Sequence, residues 1–169
     1  VAVFRRETDG RLTFLERKVN GSDGVEGLAG VTAVAVSPDG AHVYAASRVA
    51  DSVVVFRRAL DGRLSFQQAL YDGVGSDGLD QAQSLRVSPD GAQVYVAAGA
   101  DDAIAAFRRD TDNTSGTFGS LVPLAVYRNG SGGVSGLDGV RSVALSPDGA
   151  NVYAAGENDG ALVIFARVT

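Results

Sequence analysis

Bulky and small side chains alternate along several short segments of the chain with a period of two residues. In the segment 31–36, Val34 and Val36 fall on one face, and Ala33 and Ala35 fall on the other. A period of two is typical of β-strands, in which successive side chains point to opposite faces of the sheet. A strand with one bulky and one small face suits a sheet that packs between two neighbouring sheets.

These alternating segments belong to a unit that recurs along the chain. A Ser-Pro-Asp-Gly turn begins at Ser37, Ser88 and Ser146, with spacings of 51 and 58 residues. A second marker, Phe-Arg-Arg, begins at Phe4, Phe56 and Phe107, and a degenerate copy begins at Phe165. The two markers together define a unit of about 52 residues and a short insertion in the third copy.

Each unit contains four strand-like segments, which we label A to D in chain order. Segment A precedes the Ser-Pro-Asp-Gly turn, and the others are separated by turns rich in Gly and Asp. Segment B lies at 42–47, 93–98 and 151–156; segment C at 1–5, 52–57, 103–108 and 161–167; segment D at 12–18, 64–69 and 118–127. Because no segment shows a helical period, the chain is predicted to be all-β, with the strand order C-D, A-B-C-D, A-B-C-D, A-B-C.

Four short antiparallel strands in about 50 residues are typical of a β-propeller blade. The pattern V-A-V-S-P-D-G-A-x-V-Y-A-A-S, followed by V-V-V-F-R-R and D-G-R-L-S-F, resembles the repeats of the lactonase-type seven-bladed propeller family and the related YVTN repeats. That family includes bacterial 6-phosphogluconolactonase. We therefore expect one propeller segment of about three blades over 1–169, with repeats at 1–30 (partial), 31–81, 82–139 and 140–169 (partial).

Three blades do not close a ring, because propellers close with about 4–8 blades. We expect the remaining blades to come either from a longer chain or from identical subunits, and these blades are the first predicted partners. The last unit lacks a segment D, which the segment 12–18 of the same or another chain could supply. The chain begins at Val1 rather than at a Met, which favours a piece of a longer chain.

Composition and charge narrow the classes of partner. A net charge of −5 and a pI near 4.7 argue against nucleic acid or an anionic membrane surface. No apolar run is long enough for a membrane-spanning helix. The chain has no Cys and a single His, which excludes disulfides, thiolate metal sites and a zinc site with the usual ligands within one chain.

The loops that connect segment D to the next segment A are rich in Gly and acidic residues. Carboxylate oxygens are preferred ligands of Ca²⁺, but no EF-hand spacing is present. The favoured interpretation is therefore a tight turn with no cofactor, and a bound Ca²⁺ is the alternative. The candidate ligands are Asp23, Glu26, Asp72, Asp77, Asp80 and Asp138.

The Arg pairs at the end of segment C are predicted to form structural ion pairs, with an anion-binding ring as the alternative. One guanidinium of each pair is expected to pack toward the neighbouring blade, because adjacent strand residues point to opposite faces. The acidic residues closest in sequence, and hence the expected partners, are Glu7, Asp61, Asp110 and Asp112.

Two further Arg residues are candidates for ligand binding. Arg86 stands where the other units have Ala35 and Ala144, and we expect it to be buried near the channel. A buried guanidinium needs a carboxylate or an anionic ligand, so a salt bridge between blades is favoured and a ligand contact is the alternative. Arg141, near the start of its segment A, is the second candidate. His42 begins a segment B where the other units have polar residues, which predicts a solvent-facing side chain.

The family resemblance implies an active site at one mouth of the central channel, built from Arg, His and acidic residues. Part of that set lies in a segment similar to R-H-V-A-F-S-P-D-G, in which Arg141 matches the Arg. The His position holds Ala33, Ser84 or Ser142, so no unit carries the pair. We therefore favour a non-catalytic scaffold, outside the cytoplasm, that binds a protein, a glycan or a small molecule. The alternative is a portion of a lactonase-like hydrolase acting on a sugar lactone or a related cyclic ester.

Overall fold

The computed structural model describes residues 1–167, which form fourteen β-strands in four sheets. Blade 1 contains β1 (Ala2–Arg6) and β2 (Leu12–Arg17). Blade 2 contains β3 (Val31–Val36), β4 (His42–Ser47), β5 (Ser52–Arg58), β6 (Leu64–Asp72) and β7 (Gly75–Ser76). Blade 3 contains β8 (Ala82–Val87), β9 (Gln93–Ala98), β10 (Ala103–Arg109) and β11 (Leu121–Arg128). Blade 4 contains β12 (Val140–Leu145), β13 (Asn151–Gly156) and β14 (Ala161–Ala166).

The predicted strand order and the all-β class are confirmed over residues 1–167. Within each blade, the strands of types A to D that are present pair with their sequence neighbours in antiparallel register. Two details differ. The two-residue strand β7 was not predicted and pairs in parallel with the end of β6. Strand β11 begins at Leu121 rather than at Phe118, because Phe118 lies in the connection between β10 and β11.

The core lies between the blades, as the alternation of bulky and small faces predicts. Val53 and Val55 of β5 pack toward blade 3, in a cluster that includes Leu85 and Phe107. Val54, on the opposite face of the same strand, packs toward blade 1. A further cluster fills the space between blades 3 and 4. Each blade is therefore held mainly by the hydrophobic contact of its two faces with its neighbours.

The outer part of each blade twists at a regular place. A β-bulge interrupts the pairing of strands C and D directly before the Phe of each Phe-Arg-Arg marker, at Val3/Phe4, Val55/Phe56 and Ala106/Phe107. Bulges increase the local twist of a strand. The two Arg residues that follow are thereby brought to the end of the blade, where the second of them, Arg109 in blade 3, meets the turn of the neighbouring blade.

Within residues 1–167, no helix is long and apolar enough to cross a membrane.

Candidate functional site

The strands A (β3, β8 and β12) lie next to one another, and their second residues form a row that we call the strand-A mouth. Thr32, Gln83 and Arg141 hold equivalent places in this row. The Thr32 hydroxyl donates to the Ala82 carbonyl of the next blade at 3.0 Å, and Arg141 Nη1 donates to Gln83 Oε1 at 3.0 Å. The row is therefore continuous from blade to blade through hydrogen bonds.

Arg141 is the cationic centre of the strand-A mouth. Its Nε donates to a carboxylate oxygen of Glu157, which begins the turn between β13 and β14. Both side chains are more than half exposed. A guanidinium has five N–H donors, and within residues 1–167 Gln83 and Glu157 are the hydrogen-bond partners of Arg141. Arg141 therefore retains donors for an anionic or carbonyl ligand.

Arg86 is exposed, so the expectation that it is buried in a salt bridge between blades is wrong. Its Nη1 donates to the Leu85 carbonyl at 2.8 Å, and among the described residues no carboxylate lies within 4.0 Å of its guanidinium. The reason is that strand A is the innermost strand, and a long Arg side chain can carry its charge out of the contact between blades. Its role in ligand binding stays a prediction.

Only two of the six candidate Ca²⁺ ligands lie in a carboxylate cluster among residues 1–167. Asp72 and Asp77 are joined there by Asp101, which the sequence analysis did not single out, and the three oxygens lie within 4.8 Å of one another. The cluster already faces a cation, because Arg128 donates to Asp77 at 2.7 Å and to Asp101 at 2.9 Å. The Arg128 hydrogen bonds hold the pKa of Asp77 below its usual range. Bound Ca²⁺ stays a prediction.

The negative charge of this cluster affects the pKa of the nearby Asp80. Burial, together with the carboxylates of Asp51, Asp101 and Asp72, raises the pKa of Asp80. The other candidate ligands, Asp23, Glu26 and Asp138, belong to no group of three within the described part of the chain.

The loops between strands D and A are built as tight turns. In each loop the first Asn or Asp accepts the backbone N–H of a Leu eight or seven residues later: Asn20 from Leu28, Asp72 from Leu79, and Asn129 from Leu137. All three Leu side chains are buried. This geometry supports the turn interpretation of the loops, and the sequence signal for it was an Asn or Asp seven or eight residues before a Leu.

At the opposite end of the strands A, each Ser-Pro-Asp-Gly turn holds its own carboxylate in place. The Ser37 hydroxyl donates to Asp39 Oδ1 at 2.5 Å and accepts the His42 N–H at 3.0 Å. The Ala41 N–H also donates to Asp39 Oδ1, at 2.9 Å. The second carboxylate oxygen of Asp39 is thereby left for a partner outside the turn.

That partner is the second Arg of the Phe-Arg-Arg marker in the next blade. Arg109 Nη2 donates to Asp39 Oδ2 at 2.6 Å, and Arg167 Nη2 donates to Asp90 Oδ2 at 2.5 Å. The Pro and Gly of the turns also meet, since Pro38 lies beside Gly91 and Pro89 lies beside Gly149. We call this contact the interblade clamp. It explains why the Ser-Pro-Asp-Gly and Phe-Arg-Arg strings recur together.

The predicted ion pairs of the Arg markers are thus confirmed in one respect and wrong in another. One Arg of the pair does pack toward the neighbouring blade: Arg109 is 4% exposed, whereas Arg108 is exposed. Its partner, however, is Asp39 rather than the nearby Asp110 or Asp112, because the turn of the preceding blade lies against the end of strand C. Arg5 pairs with Glu7 as expected, at 3.0 Å.

His42 is fully buried, so the prediction of a solvent-facing side chain is wrong. The longer connection between β10 and β11 folds over it, placing the Phe118 ring 4.7 Å from the imidazole. Arg109 Nη2 lies 3.1 Å from His42 Nδ1. Burial and the charge of Arg109 lower the pKa of His42, so the imidazole is neutral at pH 7.

The buried, neutral imidazole predicts a loss of stability in mild acid. The unfolded chain takes up a proton near pH 6.5, whereas folded His42 does so only at lower pH, so stability present above pH 6.5 is lost as the pH falls. The free energy of unfolding should decrease between pH 7 and 5.5 by up to about 1.4 kcal/mol per pH unit. Denaturant unfolding at several pH values measures this slope.

His42→Gln is the matched control, because Gln93 occupies the equivalent position in blade 3. Since His42 is the single His of the chain, the variant should lose most of the slope between pH 7 and 5.5. An equal slope in both proteins would contradict the assignment.

Sheets of two to five strands lie side by side, with strands A innermost and clamps between blades 2 and 3 and between blades 3 and 4. This arrangement defines a segment of a β-propeller. The chain belongs to the family of seven-bladed β-propeller lactonases, whose model matches residues 1–123. No curated protein sequence is significantly similar to this chain.

Solved structures agree with this fold. The periplasmic gluconolactonase of Pseudomonas aeruginosa is 25% identical, with a TM-score of 0.73, and the match covers 99% of this chain and 46% of that one. A proposed 6-phosphogluconolactonase of Bacteroides uniformis is 24% identical, with a TM-score of 0.70 and coverages of 99% and 47%. A protein of Lactobacillus plantarum is 21% identical, with a TM-score of 0.69 and coverages of 99% and 50%. The chain therefore spans about half the length of these structures.

Proposed function

We propose that the chain forms part of a lactone-hydrolysing propeller and that its strand-A mouth contributes to binding a sugar lactone. The observation that carries the proposal is the Arg141 guanidinium, which is positioned by Gln83 and Glu157 and retains unused N–H donors. The family match supports this hydrolase interpretation better than the non-catalytic scaffold that the sequence analysis favoured.

The chemistry of lactone opening matches these groups. Water adds to the carbonyl carbon, the ring C–O bond breaks, and the products are a carboxylic acid and a hydroxyl group. Negative charge develops on the carbonyl oxygen in the transition state, where a fixed guanidinium such as Arg141 stabilises it. A carboxylate can take the proton from the attacking water, since His42 is buried at the other end of the strands.

Two carboxylates are candidates for that base. Glu157 already contacts Arg141. Asp80 lies two residues before β8, the strand whose Gln83 contacts Arg141, and its raised pKa brings its basicity closer to neutral pH. The substitution Asp80→Asn distinguishes the two. A lower kcat with ligand binding preserved assigns the base to Asp80, and an unchanged kcat assigns it to Glu157, whose own substitution would also release Arg141.

Arg141→Ala tests the proposal. Loss of one guanidinium that stabilises the developing charge is expected to lower kcat/KM for glucono-1,5-lactone by about 10²- to 10³-fold. Acid release measured in a pH-stat reports the rate, corrected for spontaneous hydrolysis. Arg11→Ala is the control: Arg11 is strongly exposed in the turn between β1 and β2, and its loss should leave the rate unchanged. A wild-type rate equal to the spontaneous one, with no binding of gluconate, would instead support the scaffold interpretation.

A further inference from the structure

The connection between β10 and β11 is longer than its counterparts in the other units. It comprises the eleven residues 110–120, whereas the connections between strands C and D at 7–11 and 59–63 comprise five residues each. We call residues 110–120 the long connection. It reaches across to blade 2 and covers His42, the single His of the chain. The one imidazole of the molecule therefore lies under the segment that distinguishes this unit from the others.

Few contacts hold the long connection on blade 2. The Tyr44 hydroxyl donates to the Gly119 carbonyl at 2.8 Å. Gln67 Nε2 donates to the Phe118 carbonyl at 2.8 Å and to the Ser120 hydroxyl at 2.9 Å. Within the long connection only Gly119 is buried, and a cavity of about 210 Å³ is lined by residues of the connection and of β5 and β6. A segment with so little buried apolar surface opens at a lower free energy than the blades around it.

Arg109 determines which nitrogen of His42 carries the proton. Arg109 Nη2 lies 3.1 Å from His42 Nδ1. A guanidinium has N–H donors and no acceptor, so Nδ1 must accept and the neutral ring carries its proton on Nε2. Within residues 1–167, Nε2 is buried and has no hydrogen-bond partner. A second proton can therefore bind only at Nδ1, which faces Arg109.

Protonation of Nδ1 would set two N–H donors and two positive charges against each other. Arg109 is fixed in this position, because Asp39 Oδ2 accepts from its Nη2 at 2.6 Å and the Tyr44 hydroxyl accepts from its Nε at 2.7 Å. The imidazole belongs to the first residue of β4 and is held by the pairing of that strand with β5. The long connection is therefore the part of the surroundings that can yield.

The other groups around the ring do not offset this repulsion. Arg57 of β5 adds a second cation, and the Asp39 carboxylate and the Phe118 carbonyl favour the imidazolium. Burial and the charge of Arg109 outweigh them and lower the pKa of His42. On the remaining side lies the uncharged Phe118 ring, 4.7 Å from the imidazole. An imidazolium would gain its missing hydration if that side opened to water.

The clamp between blades 3 and 4 has no such sensitivity to acid. Gln93 takes the place of His42 there, and its Oε1 accepts from Arg167 Nε at 2.5 Å and from the Tyr95 hydroxyl at 2.7 Å. An amide offers the Arg an acceptor without taking up a proton. A titratable group thus replaces a neutral one at the clamp that the long connection covers.

We propose that the long connection is an acid-released latch: when His42 Nδ1 takes up a proton from water, residues 117–120 detach from blade 2 while the strands of the blades stay paired. The released state lets the imidazolium reach water and separates it from the Phe118 ring. The latch is independent of the proposed lactone hydrolysis, because Arg141 lies at the other end of the strands.

NMR spectroscopy of the chain tests the latch, since a single His gives one set of imidazole signals. We expect nuclear Overhauser contacts between the Phe118 and His42 rings at pH 7 and their loss as His42 is protonated below pH 6.5. The amide signals of 117–120 should shift with the same midpoint, while those of β4 and β10 stay dispersed. Hydrogen bonds from hydroxyl groups lower the pKa of Asp110 and of Asp112, so these carboxylates stay charged over this range.

Two variants make the test specific. In His42→Gln, which copies the other clamp, the amide signals of 117–120 should not respond between pH 7 and 5. Gln67→Ala removes two bonds that close the latch, so the midpoint of His42 should rise by about half to one pH unit, because the closed state opposes proton uptake. Gln83→Ala, at the other end of the strands, should leave the midpoint unchanged.

Four results would overturn the latch. The ring contact could survive protonation of His42, or 117–120 could respond to pH equally in His42→Gln. The midpoint could be the same in Gln67→Ala as in the original chain. Loss of the β4 and β10 signals at the midpoint of 117–120 would show that acid unfolds the blades rather than releasing the connection.

Discussion

Replacing Asp39 with Asn is expected to lower the free energy of unfolding by about 2 to 3 kcal/mol. The Asn side chain can keep the local bonds of the turn, but its amide NH₂ would face the Arg109 Nη2 that Asp39 Oδ2 now accepts from at 2.6 Å. Arg109 would then be a buried guanidinium without a counter-ion, since its side chain is only 2% exposed. The cost lies below that of a fully buried pair because Asp39 itself is partly exposed.

Asp148→Asn is the matched control for this prediction. Asp148 has the same hydrogen bonds within its turn as Asp39, but within residues 1–167 it has no Arg partner. Any cost of changing the turn itself appears in both variants, and the difference isolates the contact between blades. Denaturant unfolding of the two variants measures it, and equal losses would show that the clamp contributes nothing.

The clamp should persist into strong acid. Burial opposes the charged form of Asp39, but hydrogen bonds from Ser37, Ala41 and Arg109 outweigh it and lower the pKa of Asp39 to about 2. A carboxylate with a depressed folded pKa contributes stability above its unfolded pKa of about 4, which is lost as the pH falls toward 2. The effects of Asp39 and His42 are therefore separated along the pH scale.

Gly119→Ala is expected to lower the free energy of unfolding by about 2 to 4 kcal/mol. Gly119 has a φ of +84°, which an L side chain rarely adopts, and a Cβ there would overlap the His42 ring. The overlap costs about 1 to 3 kcal/mol and the left-handed conformation about 1 more. The backbone on both sides is held, because the Gly119 carbonyl accepts the Tyr44 hydroxyl at 2.8 Å.

Two variants separate the causes of this loss. Gly116→Ala lies in the same connection, with nothing within 4 Å of the new methyl group and no positive φ, and should be nearly neutral. In His42→Ala/Gly119→Ala the overlap is removed, so the double variant should be more stable than the sum of the single losses predicts. Strict additivity would show that His42 and Gly119 are not in contact.

The strands could be predicted from the sequence because their signal is local. The alternation of Val34 and Val36 with small residues, and the turns that follow, are determined within a few residues of each strand. Each strand also has equivalents in the other units, and the same pattern at equivalent positions supported its prediction. Two strand boundaries are wrong by three residues. The start of β11 lies beside the insertion, where no other unit provides a comparison, and β6 continues to Asp72 into the loop that follows it.

The interblade clamp could not be predicted in the same way, because Asp39 and Arg109 are 70 residues apart. The Ser-Pro-Asp-Gly and Phe-Arg-Arg motifs both recur in the sequence. Only the packing of the blades shows that the Asp of one motif binds an Arg of the other. The burial of His42 was missed for a related reason. Its equivalents, Gln93 and Asn151, are polar, and the residues that cover it belong to the inserted connection of the next blade. Arg86 shows the opposite error. It stands where the other units have Ala and was expected to be buried between blades, but its side chain is exposed.

A double-mutant cycle on Asp39 and Arg109 tests the clamp most directly. The free energies of unfolding of Asp39→Asn, Arg109→Met and the double variant give the coupling between the two side chains, free of their separate roles. We predict a coupling of about 1.5 to 3 kcal/mol, and additive losses for the unconnected pair Asp148→Asn and Arg109→Met. A coupling below about 0.5 kcal/mol for Asp39 and Arg109 would contradict the account, because the repeated strings would then serve their own turns and not the contact between blades.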